Sequence, residues 1–458
     1  MEITRNDFGE NFSWGVATAA YQIEGAHDAH GKGVSIWDQF TSKKGRIHSN
    51  HNGNVSVDHY NRYHDDIMLM KRMNIPNYRF SLSWSRIFPT GTGTPNRQGV
   101  DFYSRVIDLC LSQGIQPWIT IYHWDLPLEL EKKGGWTNRA IIEWFSDYAS
   151  FCIRQYGDRV THWMILNEPM VFTGAGYFLG IHAPGKKGLL NFLAAAHHAA
   201  LCQATGGRIA KSLNGSLQIG TTFSCSQVEP YRNNTADNSA AFRMDALLNR
   251  TFIEPMLGLS YPSNDLKVLS RIEQFVKDGD EQKLPFSMDF IGIQNYTREI
   301  VRHDFFTPFL RAKIVTAAKR KAAATMMGWE VYPASIYHML KKYAAYENMP
   351  SMIITESGAA FEDRLTAGSI HDIQRTAYLK DHLQQVRKAR TEGVDVNGFF
   401  VWSFLDNFEW AEGYRPPFGI VHVDLQTQQR TIKHSGLWYK DFLDGCTVSP
   451  TIRPAANL

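Results

Sequence analysis

The sequence predicts an α/β protein whose eight strands and eight helices close into one (β/α)₈ barrel. Short runs rich in β-branched or aromatic residues alternate along the chain with longer segments of helical pattern, as is typical of parallel sheets built from βαβ units. Eight such runs occur, the number that a (β/α)₈ barrel, or TIM barrel, needs. No Ser/Gly/Pro-rich linker, low-complexity segment or block of charge divides the 458 residues, so residues 1–458 are expected to form a single domain.

The strand-like runs follow one another in a regular order. They cover residues 12–18, 77–83, 116–122, 161–167, 217–223, 289–295, 352–355 and 396–404. Helical patterns between them include residues 65–73, 100–113, 138–156, 191–214 and 370–392. An open sheet of eight strands remains possible, but the glycine-rich turn that cradles phosphate in many open sheets is missing. The nearest match, Gly174-Ala175-Gly176, lacks the third glycine. A closed barrel is therefore favoured.

The charge balance excludes several classes of partner. Lys and Arg number 48 and Asp and Glu 45, which leaves a formal charge of +3. Proteins that bind nucleic acid or an anionic membrane surface usually carry a larger basic excess, so neither is expected as a partner. One basic stretch, residues 311–321, is interpreted as a solvated face or loop. No uninterrupted apolar run is long enough to span a membrane.

The cysteines predict free thiols in a reducing compartment. Their number is odd and no two form a CxxC pair, which argues against a disulfide framework or a zinc site. The five are Cys110, Cys152, Cys202, Cys225 and Cys446. The opening segment MEITRNDFGENF lacks the apolar stretch of a secretion signal. The expected location is therefore the cytoplasm.

The histidines do not predict a metal site. His59 and His64 are five residues apart, not the four that places two imidazoles on one helix face, so they are interpreted as N-cap and surface residues. His197 and His198 are adjacent and receive the same interpretation. A serine hydrolase is also disfavoured, because no G-x-S-x-G motif occurs.

Polar, aromatic and acidic side chains gather where the strand-like runs end. In chain order they are Gln22, Glu24, Arg79, Trp84, His123, Trp124, Asp125, Asn167, Glu168, Asn295, Tyr296, Glu356, Trp402, Asp406, Asn407, Glu409 and Trp410. A (β/α)₈ barrel carries its active site at the C-terminal ends of its strands. These residues therefore mark the candidate site.

Two carboxylates stand out within this set. Glu168 directly follows the apolar run Met164-Ile165-Leu166 and Asn167, and Glu356 follows the apolar run 352–354 and Thr355. The ends of the fourth and seventh strands face each other across a closed barrel. Two carboxyl groups in such a cleft can divide the work of glycoside hydrolysis, one protonating the leaving oxygen and the other attacking the anomeric carbon.

Several motifs add a family resemblance to this pattern. The segments are 12–25 (FSWGVATAAYQIEG), 78–87 (YRFSLSWSRI), 122–127 (YHWDLP), 166–169 (LNEP), 182–185 (HAPG), 354–358 (ITESG) and 405–410 (LDNFEW). Over essentially its full length the chain resembles the β-glucosidases of glycoside hydrolase family 1. The resemblance implies a retaining β-glucosidase that needs neither a metal nor another cofactor.

The resemblance also implies a role for each candidate residue. Glu168 would be the general acid/base and Glu356 the nucleophile, with their carboxyl groups about 5–5.5 Å apart as in retaining enzymes. Asn167 would hold the sugar 2-hydroxyl, and Arg79 would lower the pKa of Glu356 and keep it ionised together with Tyr296. The other implied site residues are Gln22, His123, Trp402, Glu409, Trp410 and Phe418 around the glycone, Trp329 as a platform for the leaving group, and Asn295 as a supporting residue.

Two positions depart from the family pattern, Ser357 after the nucleophile and Pro416-Pro417, where the family often has basic residues. Ser357 follows the nucleophile where Asn is more frequent. Members selective for 6-phosphorylated sugars carry Ser, Lys and Tyr at positions that correspond here to Glu409, Pro416 and Phe418. A carboxylate at 409 would repel phosphate, so an unphosphorylated sugar is expected. Glu168 also argues against the thioglucosidase branch, which has Gln at this position.

Alternative functions remain open on the sequence alone. The first is a catalytically silent sugar-binding barrel, which the retention of both glutamates disfavours. The others are β-galactosidase, β-fucosidase or 6-phospho-β-glucosidase activity. The expected partners are small-molecule β-glucosides or cello-oligosaccharides, and a homo-oligomer is possible.

Overall fold

The computed structural model describes residues 3–445 and contains a closed barrel of eight parallel strands. The strands are β1 (Ser13–Ala17), β2 (Asn77–Ser81), β3 (Gln116–Tyr122), β4 (His162–Asn167), β5 (Gln218–Ser224), β6 (Phe290–Gln294), β7 (Ser351–Ser357) and β8 (Val396–Trp402). Each lies within or overlaps one of the eight predicted runs. The closed-barrel prediction is therefore confirmed.

The order of strands around the barrel is β1-β8-β7-β6-β5-β4-β3-β2. Every neighbouring pair is parallel, including the β1–β8 pair, in which Trp14 is in register with Phe399, that closes the barrel. Strands β4 and β7 are separated by two strands on one side and four on the other. Their C-terminal ends consequently lie on opposite sides of the barrel mouth, as the sequence predicted for Glu168 and Glu356.

One long helix follows each strand and packs outside the barrel. These helices are α1 (His59–Arg72), α2 (Arg97–Ser112), α3 (Ile141–Tyr156), α4 (Leu189–Leu213), α5 (Thr235–Asp245), α6 (Ala334–Ala344), α7 (Ile373–Thr391) and α8 (His434–Leu443). Short helical segments occupy the loops, namely Arg5–Phe8, Ala20–Ile23, Ile36–Thr41, His48–Asn50, Trp84–Ile87, Leu128–Lys132, Gly135–Thr137, Pro169–Thr173, Gly174–Leu179, Ala246–Arg250, Ile253–Met256, Lys267–Phe275, Asp280–Lys283, Ala317–Arg320 and Trp410–Glu412.

Three small sheets lie outside the barrel. Gln227–Pro230, Arg298–His303 and Ala312–Ile314 form a three-stranded sheet. Leu365–Thr366 pairs with Ser369–Ile370, and Val421–Val423 pairs with Arg430–Ile432. The middle strand of the first sheet, Arg298–His303, begins four residues after β6, next to the candidate site.

Large rings fill the barrel interior opposite glycines. An added Cβ at Gly15 in β1 would lie 2.4 Å from the ring of Phe400, and one at Gly220 in β5 would lie 2.4 Å from the ring of Phe290. These two rings pack with Trp118, Met164 and Ile353 in one buried cluster. Because this layer closes the barrel from below, the open space for a ligand lies above it, at the C-terminal ends of the strands.

The interpretation of three histidines as cap or surface residues is wrong. His59 is buried and its Nδ1 lies 2.8 Å from the buried carboxylate of Asp66. His197 and His198 are buried as well, and His197 Nε2 lies 3.0 Å from Asp280 Oδ2. Each imidazole is tolerated in the interior because it has a hydrogen-bond partner. His64, by contrast, is exposed as expected.

The cysteines that the structure describes have no disulfide partner. Cys110, Cys152, Cys202 and Cys225 are free and buried, whereas Cys446 lies outside the described residues. Across residues 3–445 there is no helix with both the length and the apolar character required to cross a bilayer.

Candidate active site

The barrel brings the two predicted catalytic carboxyl groups together at the C-terminal ends of its strands, where both are buried. Glu168 directly follows β4, and Glu356 is the penultimate residue of β7. Their exposed fractions are 7% and 3%. The negative charge of Glu356 raises the pKa of Glu168, so the two groups are close enough to interact electrostatically.

Two donors hold the carboxylate of Glu356. Arg79, which lies in β2 and is fully buried, forms a salt bridge with Oε1. Tyr296 Oη donates to Oε2 over 2.6 Å. The backbone oxygen of Tyr296 in turn accepts a hydrogen bond from Tyr378 Oη at 3.0 Å. This bond holds the backbone of Tyr296, and with it the side chain that donates to Glu356. Both oxygens of Glu356 are therefore oriented by groups that favour the ionised form.

The glycine that follows this carboxylate is required by close packing. An added Cβ at Gly358 would lie 1.7 Å from the backbone oxygen of Trp402. The chain leaving β7 thus passes directly against the end of β8. This contact explains why the ITESG motif has glycine as its last residue and brings Glu356 beside Trp402.

Asn167 is held with its amide nitrogen turned toward Glu168. Its Oδ1 accepts hydrogen bonds from Arg79 Nη2 at 2.5 Å, Thr222 Oγ1 at 2.9 Å and Gln294 Nε2 at 2.8 Å. With three donors on the oxygen, the Nδ2 group is left to face His123 Nε2 at 3.0 Å and Glu168 Oε2 at 3.4 Å. The amide is therefore presented as a donor, the role that a contact to a sugar hydroxyl oxygen requires.

Glu168 occupies a strained backbone position. Its φ is 44°, in the left-handed region that residues with a side chain rarely adopt, and its backbone N–H donates to Thr222 O at 3.0 Å. Pro169 then begins the next short helix. Strain of this kind concentrates at functional sites, where surrounding contacts enforce it.

Burial and the pairing of charges set the protonation of the two glutamates. Burial raises the pKa of Glu168 well above its usual value, and the charge of Glu356 raises it further. Burial also raises the pKa of Glu356, against the lowering effects of Arg79 and Tyr296. Arg79 thus acts on this pKa in the expected direction, while desolvation of the buried carboxyl group outweighs it. Arg79 and Tyr296 donate directly to Glu356 and not to Glu168, so Glu356 ionises first and Glu168 keeps its proton.

Gln22, His123 and Glu409 form a second cluster of polar side chains beyond the two glutamates, which we call the polar wall. Gln22 Nε2 donates to Asn407 Oδ1 at 2.9 Å, to Phe408 O at 2.8 Å and to Glu409 Oε2 at 3.2 Å. Gln22 Oε1 and His123 Nδ1 are buried without a protein partner within the described residues. Buried polar atoms normally have partners, so these two are suited to bind hydroxyl groups of a ligand.

Glu409 is protonated more readily than an ordinary glutamate. Burial and the nearby charge of Glu356 raise its pKa to about 8, although the hydrogen bond from Gln22 opposes this. A raised pKa favours the protonated form of Glu409, which carries no charge to repel a phosphate. Pro416 and Phe418, which the sequence analysis set against the Lys and Tyr of phosphate-selective members, are apolar and buried.

Aromatic rings enclose the same cavity. Trp410 lies against Trp37 and Trp124 with ring centroids 4.6 and 4.5 Å apart, and both Trp402 and Trp410 lie 6.0 Å from the imidazole of His123. Trp124 Nε1 donates to Asn167 O at 2.9 Å. Flat apolar faces of this type match the C–H faces of a sugar ring.

A third group of rings surrounds the opening. Trp329 is half-buried and lies 5.3 Å from the ring of Tyr296 and 6.1 Å from that of Phe418. Since Tyr296 also donates to Glu356, Trp329 lies close to that carboxylate. Its role as a platform for the leaving group stays a prediction.

Asn295 supports the site from behind. Its Nδ2 donates to Cys225 O at 2.9 Å and to Ser335 Oγ at 3.0 Å, and it has no hydrogen bond to either glutamate. Sequence analysis missed Gln294 and Thr222, which orient Asn167. Gln294 directly precedes Asn295 at the end of a predicted strand, and that position is the one signal that could have identified it.

Within residues 3–445, no group of three or more His, Cys, Asp or Glu side chains is arranged to hold a metal ion.

Comparison with known proteins agrees with this geometry. The model of the family described as "Glycosyl hydrolase family 1" matches residues 4–446. The chain belongs to glycosyl hydrolase family 1. Hydrolysis with retention of anomeric configuration is general to the family.

Several relatives in this family are similar over most of their length. "Beta-glucosidase A" of Acetivibrio thermocellus is 42% identical over 444 residues, which cover 95% of this chain and 98% of that protein. "Beta-glucosidase A" of Thermotoga maritima is 42% identical over 437 residues, covering 95% and 97%. "1,4-beta-D-glucan glucohydrolase" of Thermotoga neapolitana is 41% identical over 438 residues, covering 95% and 98%.

Solved structures of family 1 proteins have the same fold. The structure titled "Family 1 b-glucosidase from Thermotoga maritima" superimposes with a TM-score of 0.93 at 41% identity, covering 96% of this chain and 99% of the other. The AHE enzyme from Alicyclobacillus herbarius also gives a TM-score of 0.93, at 38% identity and with 97% and 98% covered.

Proposed function

We propose that this family 1 protein is a retaining β-glucosidase that removes terminal non-reducing β-D-glucosyl residues from oligosaccharides or from aryl and alkyl glucosides. The observation that carries the proposal is the asymmetry of the two glutamates. Glu356 receives both direct donors, Arg79 and Tyr296, whereas Glu168 is buried and carries the more strongly raised pKa. One group is thereby suited to attack and the other to give up a proton.

In the first step Glu356 attacks the anomeric carbon while Glu168 protonates the leaving oxygen. The glycosidic bond breaks, the leaving group departs as an alcohol, and the sugar becomes an ester of Glu356. Asn167 donates to the sugar 2-hydroxyl, and this contact strengthens as positive charge develops on the ring. The three donors on Asn167 Oδ1 hold its amide in the required orientation.

In the second step Glu168 changes from acid to base. Esterification removes the negative charge of Glu356, and with it one of the influences that raise the pKa of Glu168. Glu168 can then take a proton from water as the water attacks the anomeric carbon. The ester bond breaks, glucose leaves with its original β configuration, and Glu356 is restored as a carboxylate.

We further propose glucose without a 6-phosphate as the preferred glycone. Gln22 and Glu409 offer a hydrogen-bonding wall, and the unpartnered Gln22 Oε1 supplies an acceptor. Pro416 and Phe418 offer no charge to a phosphate. A galactoside or fucoside differs only at hydroxyl positions that Glu409 can accept from, so weaker activity on these substrates is consistent with the proposal.

The proposed partners are small-molecule β-glucosides or cello-oligosaccharides, with Trp329 as the platform for the leaving group. The relative named "1,4-beta-D-glucan glucohydrolase" supports the second class of substrate. We propose that residues 1–458 act as one catalytic domain. The buried free thiols of Cys110, Cys152, Cys202 and Cys225 support a reducing compartment, and hence a cytoplasmic location.

Initial rates on four chromogenic substrates test the proposal. The substrates are the p-nitrophenyl β-glucoside, β-galactoside, β-fucoside and β-glucoside 6-phosphate. We expect the fastest release from the unphosphorylated glucoside. Glu356→Gly is expected to abolish release, and added azide or formate is expected to restore it by occupying the space of the lost carboxylate. Glu347→Gly, at an exposed position remote from the site, is the matched control.

Each alternative function has its own outcome in this experiment. Faster release from the 6-phosphate would contradict the assignment at Glu409, Pro416 and Phe418. Faster release from the galactoside or fucoside would replace glucose as the preferred glycone. No release from any substrate by the wild-type protein would favour a silent sugar-binding barrel.

A further inference from the structure

The leaving-group platform is carried by a hairpin rather than by a barrel strand. Ala324 and Glu330 form an antiparallel bridge, and Thr325 N donates to Trp329 O at 2.9 Å. The turn between them passes through Gly328, whose φ is 75°. A two-stranded hairpin is only marginally stable by itself, so the position of Trp329 depends on contacts that hold the hairpin to the rest of the protein, such as Met326 N, which donates to Ala360 O at 2.9 Å.

Glu330, the residue directly after Trp329, provides a charged anchor for the hairpin. Its two carboxylate oxygens accept from Arg298 Nε at 2.9 Å and Arg298 Nη2 at 3.0 Å in a bidentate pair. Arg320 Nη2 donates to the same group at 2.7 Å. Only 7% of Glu330 is exposed. Such a buried, bidentate arrangement fixes geometry more strongly than an ordinary surface ion pair.

The charge of Glu330 persists over the whole working range of pH. Burial raises its pKa, but the hydrogen bonds from Arg298 and Arg320 outweigh burial and hold the pKa at about 2. Arg320 comes from the basic stretch 311–321, and one basic residue of that stretch thus has a defined partner.

The same cluster is tied to the nucleophile. Arg298 is two residues after Tyr296, and the intervening Thr297 donates through Oγ1 to Glu330 O at 3.0 Å. Arg298 also lies over the ring of Tyr332, 3.6 Å from its centroid. One short segment therefore holds the donor to Glu356 at one end and the anchor of the Trp329 hairpin at the other.

We propose that Glu330 is a positioning residue that holds Trp329 beside the nucleophile and thereby sets the selectivity for the leaving group. The proposal rests on the proposed β-glucosidase function. A loosened hairpin leaves the glycone wall intact, because Gln22, His123 and Glu409 stand on other loops. The effect is therefore confined to the part of the substrate that Trp329 contacts.

The test compares Glu330→Gln with the wild-type protein on two substrates. p-Nitrophenyl β-glucoside has an aromatic leaving group, whereas methyl β-glucoside has a small leaving group without a ring. We expect KM for the aryl substrate to rise about fivefold, the size of a lost aromatic contact, with kcat changed less. KM for methyl β-glucoside and inhibition by glucose are expected to stay within about twofold.

A double-mutant cycle identifies the route of the effect. In a Trp329→Ala background, Glu330→Gln is expected to add less than about twofold to the aryl KM, because the side chain through which it acts is gone. The matched control is Glu229→Gln, which removes the other carboxylate partner of Arg298 at 3.1 Å and leaves the hairpin anchored. Should Glu330→Gln fail to fold, Arg320→Gln removes one donor and is expected to shift the aryl KM in the same direction.

The outcomes distinguish failure of the positioning role of Glu330 from failure of the proposed β-glucosidase function. An unchanged aryl KM in Glu330→Gln overturns the positioning role. Equal losses on both substrates together with weaker glucose inhibition also overturn it, since they indicate general destabilisation. Full additivity in the cycle shows that Glu330 does not act through Trp329. If the wild-type protein hydrolyses no β-glucoside, the proposed function fails and this inference fails with it.

Discussion

The hydroxyl group of Tyr296 offers a clean test of how the nucleophile is held. Tyr296→Phe removes the 2.6 Å hydrogen bond to Glu356 Oε2. The ring itself remains, so its contacts with Trp329 and Phe418 at 5.3 and 6.2 Å are preserved. The backbone bond from Tyr378 also remains. The change therefore isolates one donor.

The magnitude follows from the charge of the acceptor. A hydrogen bond to a charged group contributes about 1.5–3 kcal/mol, which corresponds to about a 10- to 150-fold loss in kcat/KM if the bond is needed in the transition state. The salt bridge from Arg79 stays in place and orients the other oxygen. We accordingly expect a large loss but not a complete one.

The pH profile gives the sign of the effect. Tyr296 lowers the pKa of Glu356, so its removal raises that pKa. Activity requires Glu356 to be ionised, and the acidic limb of kcat/KM should therefore move to higher pH in Tyr296→Phe. Initial rates on p-nitrophenyl β-glucoside across pH measure both the loss and the shift.

The control variant removes a similar tyrosine–glutamate hydrogen bond elsewhere in the protein. Tyr337 Oη donates to Glu392 Oε2 at 2.8 Å on the surface, so Tyr337→Phe removes an equivalent bond far from the barrel mouth. It is expected to leave kcat/KM and the acidic limb unchanged. The reasoning would be refuted if Tyr296→Phe kept wild-type kcat/KM, or if its acidic limb moved to lower pH.

The remaining predictions concern the acid Glu168, the side-chain amide of Asn167, and Glu409 in the polar wall. Glu168→Ala should reduce kcat for methyl β-glucoside far more than for dinitrophenyl β-glucoside, whose leaving group needs little protonation; equal losses would exclude the acid role. In the wild-type profile kcat/KM should fall as pH rises through the raised pKa of Glu168, and Glu168→Ala should flatten this alkaline limb. Gln294→Leu should lower kcat/KM roughly tenfold by freeing Asn167, with a smaller loss on the 2-deoxyglucoside, and equal losses would argue against the orienting role. Glu409→Ser should raise KM for the glucoside more than it lowers kcat, whereas an unchanged KM would remove Glu409 from the sugar wall.

The fold and the principal site residues were accessible from sequence because local pattern specifies them. Strand-like runs that alternate with helical segments predicted all eight barrel strands. The geometry of a closed barrel then placed Glu168 and Glu356 on opposite sides of one opening. The roles of the surrounding residues came from family motifs, which record contacts that composition and spacing do not reveal.

What the sequence did not provide depends on contacts between distant residues. His197 is buried because it pairs with Asp280, 83 positions later, and nothing local to His197 indicates this. The anchor of Trp329 likewise needs Arg298 to approach Glu330 from another strand. The net pKa direction of Glu356 depends on how completely it is buried, and burial is a property of the assembled barrel.

Covalent trapping of the nucleophile tests the assignment of Glu356 most directly. A 2-deoxy-2-fluoro-β-glucoside with a good leaving group slows the second step more than the first, so the glycosyl ester accumulates and mass spectrometry of peptides can locate it. The account predicts one sugar per chain on the peptide that contains Glu356, with none in Glu356→Gly and full labelling in Glu347→Gly. Attachment to a different residue, or turnover of β-glucosides that persists in Glu356→Gly without added azide, would contradict it.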